Sequence, residues 1–347
     1  QDQIYFPHSL GLFYLAMTQF LGFPNYGDEY KVMGLAPYGQ ATEIDKMRCM
    51  VRLEPKGKFE LDLNYFLHHT EGVSMVWDKG EPKIGRAYSD IMENVFGAGR
   101  KSEEPLSQHH KNIAASVQAM YEEAFFHILN HVAKETQQET LCLAGGCAMN
   151  SVANGKIFEK TQFRDVYIQC AAGDAGGAIG SAFTVWHEKL GKLKSYKMDQ
   201  AYLGPSFSDE EISRQLEVNS SEIKEQRCVI NKINNEDELC EKTALAISEG
   251  KVVGWFQGAM EWGPRALGNR SILGDPRRAD MKDILNLKIK RRESFRPFAP
   301  SILRDKVSDW FETDYDVPFM LQVFQILANK RKIIPAVTHV NGSGRLQ

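Results

Sequence analysis

Between positions 106 and 136 apolar side chains return every three or four residues: Ile113, Val117, Met120, Ala124, Ile128 and Val132, with Tyr121, Phe125 and Leu129 widening the stripe. That period is one face of a long amphipathic helix. A short apolar run at 140–144 then predicts a strand, followed by Gly145-Gly146 and a second helix over 148–159. Another strand is expected at 165–169, then the small-residue turn Ala172-Gly173-Asp174-Ala175-Gly176-Gly177 and a third helix reaching about 190. Helix, strand, glycine turn, repeated in this way, is α/β organisation.

The lysine-rich stretch 191–199 reads as a linker. Beyond Gly204-Pro205, Ser208 and Glu211 form a capping box that opens a short helix. Further on, 236–249 predicts a helix stopped by Gly250, 251–256 a strand, and 280–290 a helix turning Met281, Ile284, Leu285 and Leu287 or Ile289 inward. This divides the chain into 1–197 and 198–347, and a length of 347 residues suits two domains.

Charge narrows the partners. The 42 basic and 45 acidic residues leave a net charge of −3, which gives no global attraction to nucleic acid or to anionic lipid. No apolar run approaches the roughly 18 residues of a membrane helix. The six cysteines are scattered, with no C-x-x-C pair, and read as small buried hydrophobes of a reducing compartment, the cytoplasm by default. Neither end carries a start or closing element, so the expectation is a piece of a longer chain.

Four segments carry candidate chemistry. Gly145 and Gly146, between a strand and the stretch holding Asn150, allow backbone N–H groups to approach a phosphate, or else serve a tight packing turn. Asp174 stands alone among small residues at the end of a strand, where α/β folds place ligands, and reads either as a ligand or as a helix N-cap. The run 258–278 contains Arg265, Asn269, Arg270 and Ser271, and the run 288–300 contains Lys288, Arg292 and Arg296. Arginines interleaved with aromatic residues, Pro and Gly suit bidentate recognition of a phosphate-rich small ligand, against a solvated basic loop or an RNA contact.

Other residues receive plainer readings. His127 and His131 are one helical turn apart without a third ligand. His68-His69 and His109-His110 read as solvated, Cys147 as a packing residue, and Phe13, Phe20, Phe23 and Tyr26 as core.

The four segments, together with Phe6-Pro7-His8-Ser9-Leu10-Gly11-Leu12, the string from Glu29 to Gly39, and Pro335-Ala336-Val337-Thr338-His339-Val340, resemble the O-carbamoyltransferases of nodulation and antibiotic biosynthesis. The resemblance runs through nearly the whole chain in order. It implies a partial actin-like, sugar-kinase-like (ASKHA) domain followed by a YrdC-like α/β domain. It further implies that ATP and carbamoyl phosphate are joined into carbamoyl-AMP and that the carbamoyl group passes to a small-molecule hydroxyl.

On the same basis Gly145, Gly146 and Asn150 line a nucleotide, and Asp174 holds a divalent metal, Fe or Mg, in a site this stretch leaves incomplete. Arg265, Asn269, Arg270, Ser271, Lys288, Arg292 and Arg296 hold phosphates, with Asp174, Arg265 and Arg296 as the catalytic set. Ala259 departs from the family, which often has Arg there. The expected partner is the hydroxyl acceptor, with no nucleic acid and no membrane, and a homo-oligomer is allowed. The rival readings are an ATPase or sugar kinase of the same superfamily and a threonylcarbamoyl-type tRNA-modifying component.

Overall fold

The apolar stripe of 106–136 folds as the helix Gln108–Thr136 in the computed structural model, which describes residues 2–78 and 80–347. Ser107 accepts from the His110 N–H, and the His110 ring accepts from the Ser107 N–H, so the helix start is satisfied from both directions. Ile113, Val117, Met120, Tyr121 and Ala124 are buried on the face the stripe marks. Against them pack Phe13, Met17 and Phe20 of the helix Leu10–Phe20 and Val32 and Leu35 of the helix Glu29–Leu35. Burial of large side chains stabilises by about 1.5–3 kcal/mol each, so this layer anchors the first half of the chain.

Beside the long helix lie the strands Thr140–Leu143 and Asp165–Ile168, paired parallel with Leu141 opposite Val166. The connection between them is not one helix. Its pieces are a short 3-10 turn, Gly146–Met149, and the helices Ser151–Asn154 and Ile157–Lys160. Asn150 breaks the path: its side chain accepts from the Ala153 N–H and starts a new helix there. The third helix runs over Gly176–Thr184 and continues as a π-helical turn, Val185–Lys189.

The two halves share packing. Ile168, Cys170, Ala171 and Ala172 form one core with Met198, Leu267, Phe319 and Leu321, and Phe295 joins the core of the first half. Asn154 donates to the carbonyl oxygens of Ala148 at 2.7 Å and of Leu321 at 3.1 Å. His339 lies against Gly34, with Nε2 3.1 Å from the Gly34 carbonyl oxygen.

Later in the chain the capping box at Ser208 and Glu211 is present, opening the helix Asp209–Val218, and the helix Glu236–Ser248 forms as expected. The strands Val253–Phe256 and Arg270–Leu273 pair antiparallel. Over 280–290 a turn of α-helix, Met281–Asp283, passes into a π-helix, Ile284–Ile289. Met281 and Leu285 are buried there, while Leu287 and Ile289 are exposed, so the inward face is narrower than the sequence pattern suggests. The result is a mixed α/β architecture with small sheets. Among the described residues no helix is long and apolar enough to cross a membrane.

Candidate functional site

Two separate clusters emerge. The first is a cleft of about 820 Å³ beside the parallel strands, lined among others by Gly145, Ala172, Asp174, Gly177, Phe183 and Tyr196. Gly145 has φ of +96°, which glycine adopts without a Cβ clash, and its N–H donates to the Ala172 carbonyl at 2.6 Å. The two glycine turns are thereby tied together at the mouth of the cleft. No atom crowds Gly146 within 4 Å of where a Cβ would stand.

Asp174 is exposed in this cleft and makes no N-cap bond to the helix behind it. Its Oδ2 instead accepts a hydrogen bond from the Tyr26 hydroxyl at 2.6 Å, from a residue 148 positions away. That bond, ahead of partial burial, pushes the Tyr26 phenol up to about 12, so it remains a donor through the neutral range. Tyr26 is therefore not the core residue expected from sequence; it is 46% exposed, while Phe13, Phe20 and Phe23 are buried.

Asn150 is also close to this region, but its side chain is engaged. It exchanges hydrogen bonds with Gln118 at 3.0 and 3.1 Å, and Gln118 in turn accepts from Tyr14 at 2.9 Å. This buried amide pair fixes the turn that carries the glycines.

The second cluster is basic. After burial, the charge of Arg296 holds both Arg265 and Arg292 below the ordinary range, and Arg345 feels all three. Burial, then the charge of Arg296, pulls Arg292 down to about 10. Burial, then Arg265, Arg292 and Arg296, pulls Arg345 well below the ordinary range. The Nε atoms of both Arg265 and Arg345 are shut away from solvent without a hydrogen-bond partner. A guanidinium stays charged in a protein. Four of them together, with two unpartnered buried donors, make a strongly anion-seeking cluster.

Aromatic rings support the guanidinia. Arg296 lies over Tyr30 with 4.3 Å to the centroid, and Arg292 over Phe298 with 4.7 Å. Arg292 also donates to the Asn286 side chain at 2.7 Å. Glu293 pairs with Lys31 at 3.0 Å and with Arg296 at 3.7 Å, and Lys31 pairs with Asp28 at 2.8 Å. The segment from Tyr26 to Lys31 thus touches both clusters.

Of the remaining expected phosphate ligands, Asn269, Arg270 and Ser271 belong to a neighbouring, self-contained loop, and Lys288 lies apart in the helix Ile284–Ile289. Glu261 Oε1 accepts from the N–H groups of Leu267, Asn269 and Arg270 at 2.7, 2.8 and 3.1 Å. Burial raises the Glu261 carboxyl, but those donors outweigh it and hold it below the usual range. Asn269 donates to the Ala259 carbonyl at 2.7 Å. Arg270 stacks on Phe256 at 3.6 Å and donates to the Gln257 carbonyl at 2.6 Å. Ser271 accepts from the Gly268 N–H at 3.0 Å. Lys288 is exposed, and its charge is felt by Asp280.

Arg345 is the residue that sequence reasoning passed over. A lone Arg in a Gly-Ser-Gly string has no periodicity to mark it, and only the fold shows it beside three others.

The plainer readings divide. Cys147 is half-buried and its thiol is pushed by burial to about 11, which suits packing rather than attack. His127 meets the Glu54 carbonyl at 2.7 Å, and His131 lies 3.6 Å from Asp2. His68 is buried, with Nε2 2.8 Å from the Pro7 carbonyl, rather than solvated. Cys49, Cys142, Cys228 and Cys240 are exposed, so the expectation of buried thiols holds for Cys170 and in part for Cys147. Among the described residues no three His, Cys, Asp or Glu side chains gather in metal-binding geometry, so Asp174 can offer a cation one carboxylate.

Comparison with known proteins places the chain in a family. Residues 1–183 match the model of the carbamoyltransferase N-terminus and residues 244–347 that of the carbamoyltransferase C-terminus. Nodulation protein NolO of Bradyrhizobium diazoefficiens is 38% identical, across 98% of this chain and 57% of its own length. Nodulation protein NolNO of Sinorhizobium fredii is 37% identical, across 98% of this chain and 46% of its own. An uncharacterized Synechocystis protein is 43% identical, across 99% of this chain and 57% of its own. The chain spans about half the length of these curated relatives. It belongs to the carbamoyltransferase family.

Proposed function

We propose that this chain is part of an O-carbamoyltransferase that uses ATP and carbamoyl phosphate to make carbamoyl-AMP and passes the carbamoyl group to a hydroxyl of a small molecule or sugar. The observation that carries the reading is the basic cluster: four guanidinia, two of them with buried, unpartnered Nε–H groups. Such a site costs folding energy unless an anion completes it, and both substrates are anions rich in phosphate oxygen.

In this reading Arg265, Arg292, Arg296 and Arg345 hold the phosphates, and the loop knotted by Glu261 keeps Asn269, Arg270 and Ser271 in register beside them. Water opens carbamoyl phosphate to carbamate and phosphate. The carbamate oxygen then attacks the α-phosphorus of ATP and pyrophosphate leaves. Charge grows on the departing phosphate oxygens, where fixed guanidinia stabilise it without reorganising. These residues would lie in the YrdC-like domain.

The cleft of Gly145, Gly146 and Asp174 would belong to the ASKHA-type domain and serve the transfer. There the acceptor oxygen attacks the carbamoyl carbon, AMP departs, and the hydroxyl proton passes to a base. Asp174 is an oxygen donor suited to a hard divalent cation such as Mg, and Fe is also compatible with a carboxylate. A cation bound there would polarise the carbamoyl carbonyl. The acceptor would be the partner, with neither nucleic acid nor membrane involved, in a cytoplasmic enzyme.

Carbamoyl-phosphate-dependent ATP–pyrophosphate exchange by the full-length protein tests this. The expected result is exchange only when carbamoyl phosphate is present, lost in Arg265→Lys and Arg296→Lys because Lys cannot replace a planar two-donor contact. Exchange that ignores carbamoyl phosphate, or none at all, overturns the reading.

A further inference from the structure

We propose that Glu293 selects the carbamoyl group: its Oε2 accepts from the amide N–H of carbamoyl phosphate while the neighbouring guanidinia hold the phosphate. This rests on the phosphate-binding role proposed for the basic cluster.

A guanidinium only donates hydrogen bonds. Four of them can satisfy phosphate oxygens and a carbonyl, but none can take up an N–H. Carbamoyl phosphate carries an NH2 group, and its two donors need acceptors. The charges that act on Arg265, Arg292 and Arg345 are those of other arginines, of Tyr30 and of Glu293. Glu293 is the carboxylate of that set, and its two oxygens differ. Oε1 lies 3.0 Å from Lys31 Nζ. Oε2 is shut away from solvent with no hydrogen-bond partner among the described residues, and its 3.7 Å to Arg296 is an ion-pair distance, too long for a hydrogen bond. A leftover buried acceptor beside leftover buried donors is completed by a ligand that carries both kinds of group.

The oxygen is held in place. Glu293 and Arg296 stand at the two ends of one turn, with the Arg296 N–H 3.3 Å from the Glu293 carbonyl oxygen. Between them Phe295 is buried in the core of the first half. The fully buried Asn286 donates to the carbonyls of Ser294 at 3.3 Å and Arg296 at 2.9 Å, tying the turn to the helix before it. Burial raises the Glu293 carboxyl, but its own backbone N–H, Lys31 and Arg296 outweigh that and hold it below the usual range, so it stays an acceptor at neutral pH. Such a site discriminates among acyl phosphates. A methyl in place of the NH2 leaves Oε2 unpaired, and a carboxylate in its place is repelled.

The test is calorimetry on the full-length protein with three anions: phosphonoacetamide, acetonylphosphonate and pyrophosphate. The first two are stable analogues of one shape that differ in NH2 against CH3. Wild type should prefer the amide by about tenfold or more. Lys31 only donates, so in Glu293→Gln it draws the amide oxygen to the Oε1 place and leaves an NH2 at the Oε2 place. The preference should then fall to about one, with pyrophosphate still bound. If the Gln variant no longer binds pyrophosphate, Glu293→Asp carries the test: it keeps the charge but withdraws the oxygen by one carbon, and should lose the preference while keeping pyrophosphate. A wild type without preference, or variants that keep it while all three affinities move together, would make Glu293 a counter-ion only; the selection proposal falls and the phosphate role stands. If wild type binds none of the three anions, both fall.

Discussion

Arg296 lies over the ring of Tyr30 at 4.3 Å to the centroid, so a residue of the first half of the chain supports a guanidinium of the second. The ring gives the charge a flat bed on one side, and Glu293 at 3.7 Å steadies it from another. Tyr30→Leu keeps the bulk but removes the ring quadrupole, a loss of about 0.5–2 kcal/mol where water is excluded. Carbamoyl-phosphate-dependent exchange should show a raised KM, by about three- to tenfold, with little change in kcat. An unchanged KM would mean that the ring is only a packing neighbour.

Gly155 offers a cleaner test of how the halves interlock. Its φ is −65°, which any residue adopts, so the position needs glycine only for space. A Cβ there would meet the Val323 carbonyl oxygen at 1.9 Å and its backbone nitrogen at 3.0 Å. Backbone cannot swing aside as a side chain does. Gly155→Ala should therefore destabilise by about 1–3 kcal/mol in urea unfolding. Gly146→Ala, with nothing nearby, should cost far less.

The same contrast explains what was legible in the sequence. The long helix could be read because its stripe is a local period, and the capping box at Ser208 is satisfied locally too. The break at Asn150 was hidden. An asparagine in an apolar, helix-period stretch looks like a helical residue until Gln118, 32 positions earlier, is seen to claim its amide. Tyr26 and His68 were misread for a related reason, since the partners that decide their exposure, Asp174 and Pro7, lie 148 and 61 positions away. The arginines showed themselves by density, but Arg345 did not. Its role depends on a turn of chain that brings it beside Arg265, and no local pattern records that.

His339 provides a pH handle on the contact between halves. Its Nδ1 accepts from the Val340 N–H at 2.8 Å, so Nε2 carries the proton toward the Gly34 carbonyl at 3.1 Å. Burial, and then the charge of Lys282, holds the ring down to about 4. A folded-state value below the unfolded one of about 6.5 means that the unfolded chain binds the extra proton first. The contribution is complete above about pH 6.5 and is lost as pH falls toward 4, at no more than about 1.4 kcal/mol per pH unit. Because carboxylates titrate in the same range, the difference between wild type and His339→Gln is the quantity to follow. That difference should shrink steadily from pH 7 to pH 4.5 in denaturant titrations; a constant difference would place the titration elsewhere.

The last prediction concerns Arg345, where stability and binding should move in opposite directions. Without an anion the four guanidinia repel one another, and the Arg345 Nε–H is buried without a partner. Methionine has a similar reach and no charge, so Arg345→Met removes both costs while still filling the buried space. The melting temperature of the unliganded protein should stay level or rise, as when a poorly compensated buried charge is replaced by an apolar side chain. Binding should suffer. A charge-assisted hydrogen bond contributes about 1.5–3 kcal/mol, so pyrophosphate affinity measured by calorimetry should fall about tenfold or more. The stabilisation that pyrophosphate confers on the wild type should shrink in parallel, since a ligand raises stability only in proportion to the logarithm of its occupancy ratio. A variant that melted earlier yet bound pyrophosphate as before would show the opposite: a guanidinium held by the fold for its own sake, with the anion seated elsewhere.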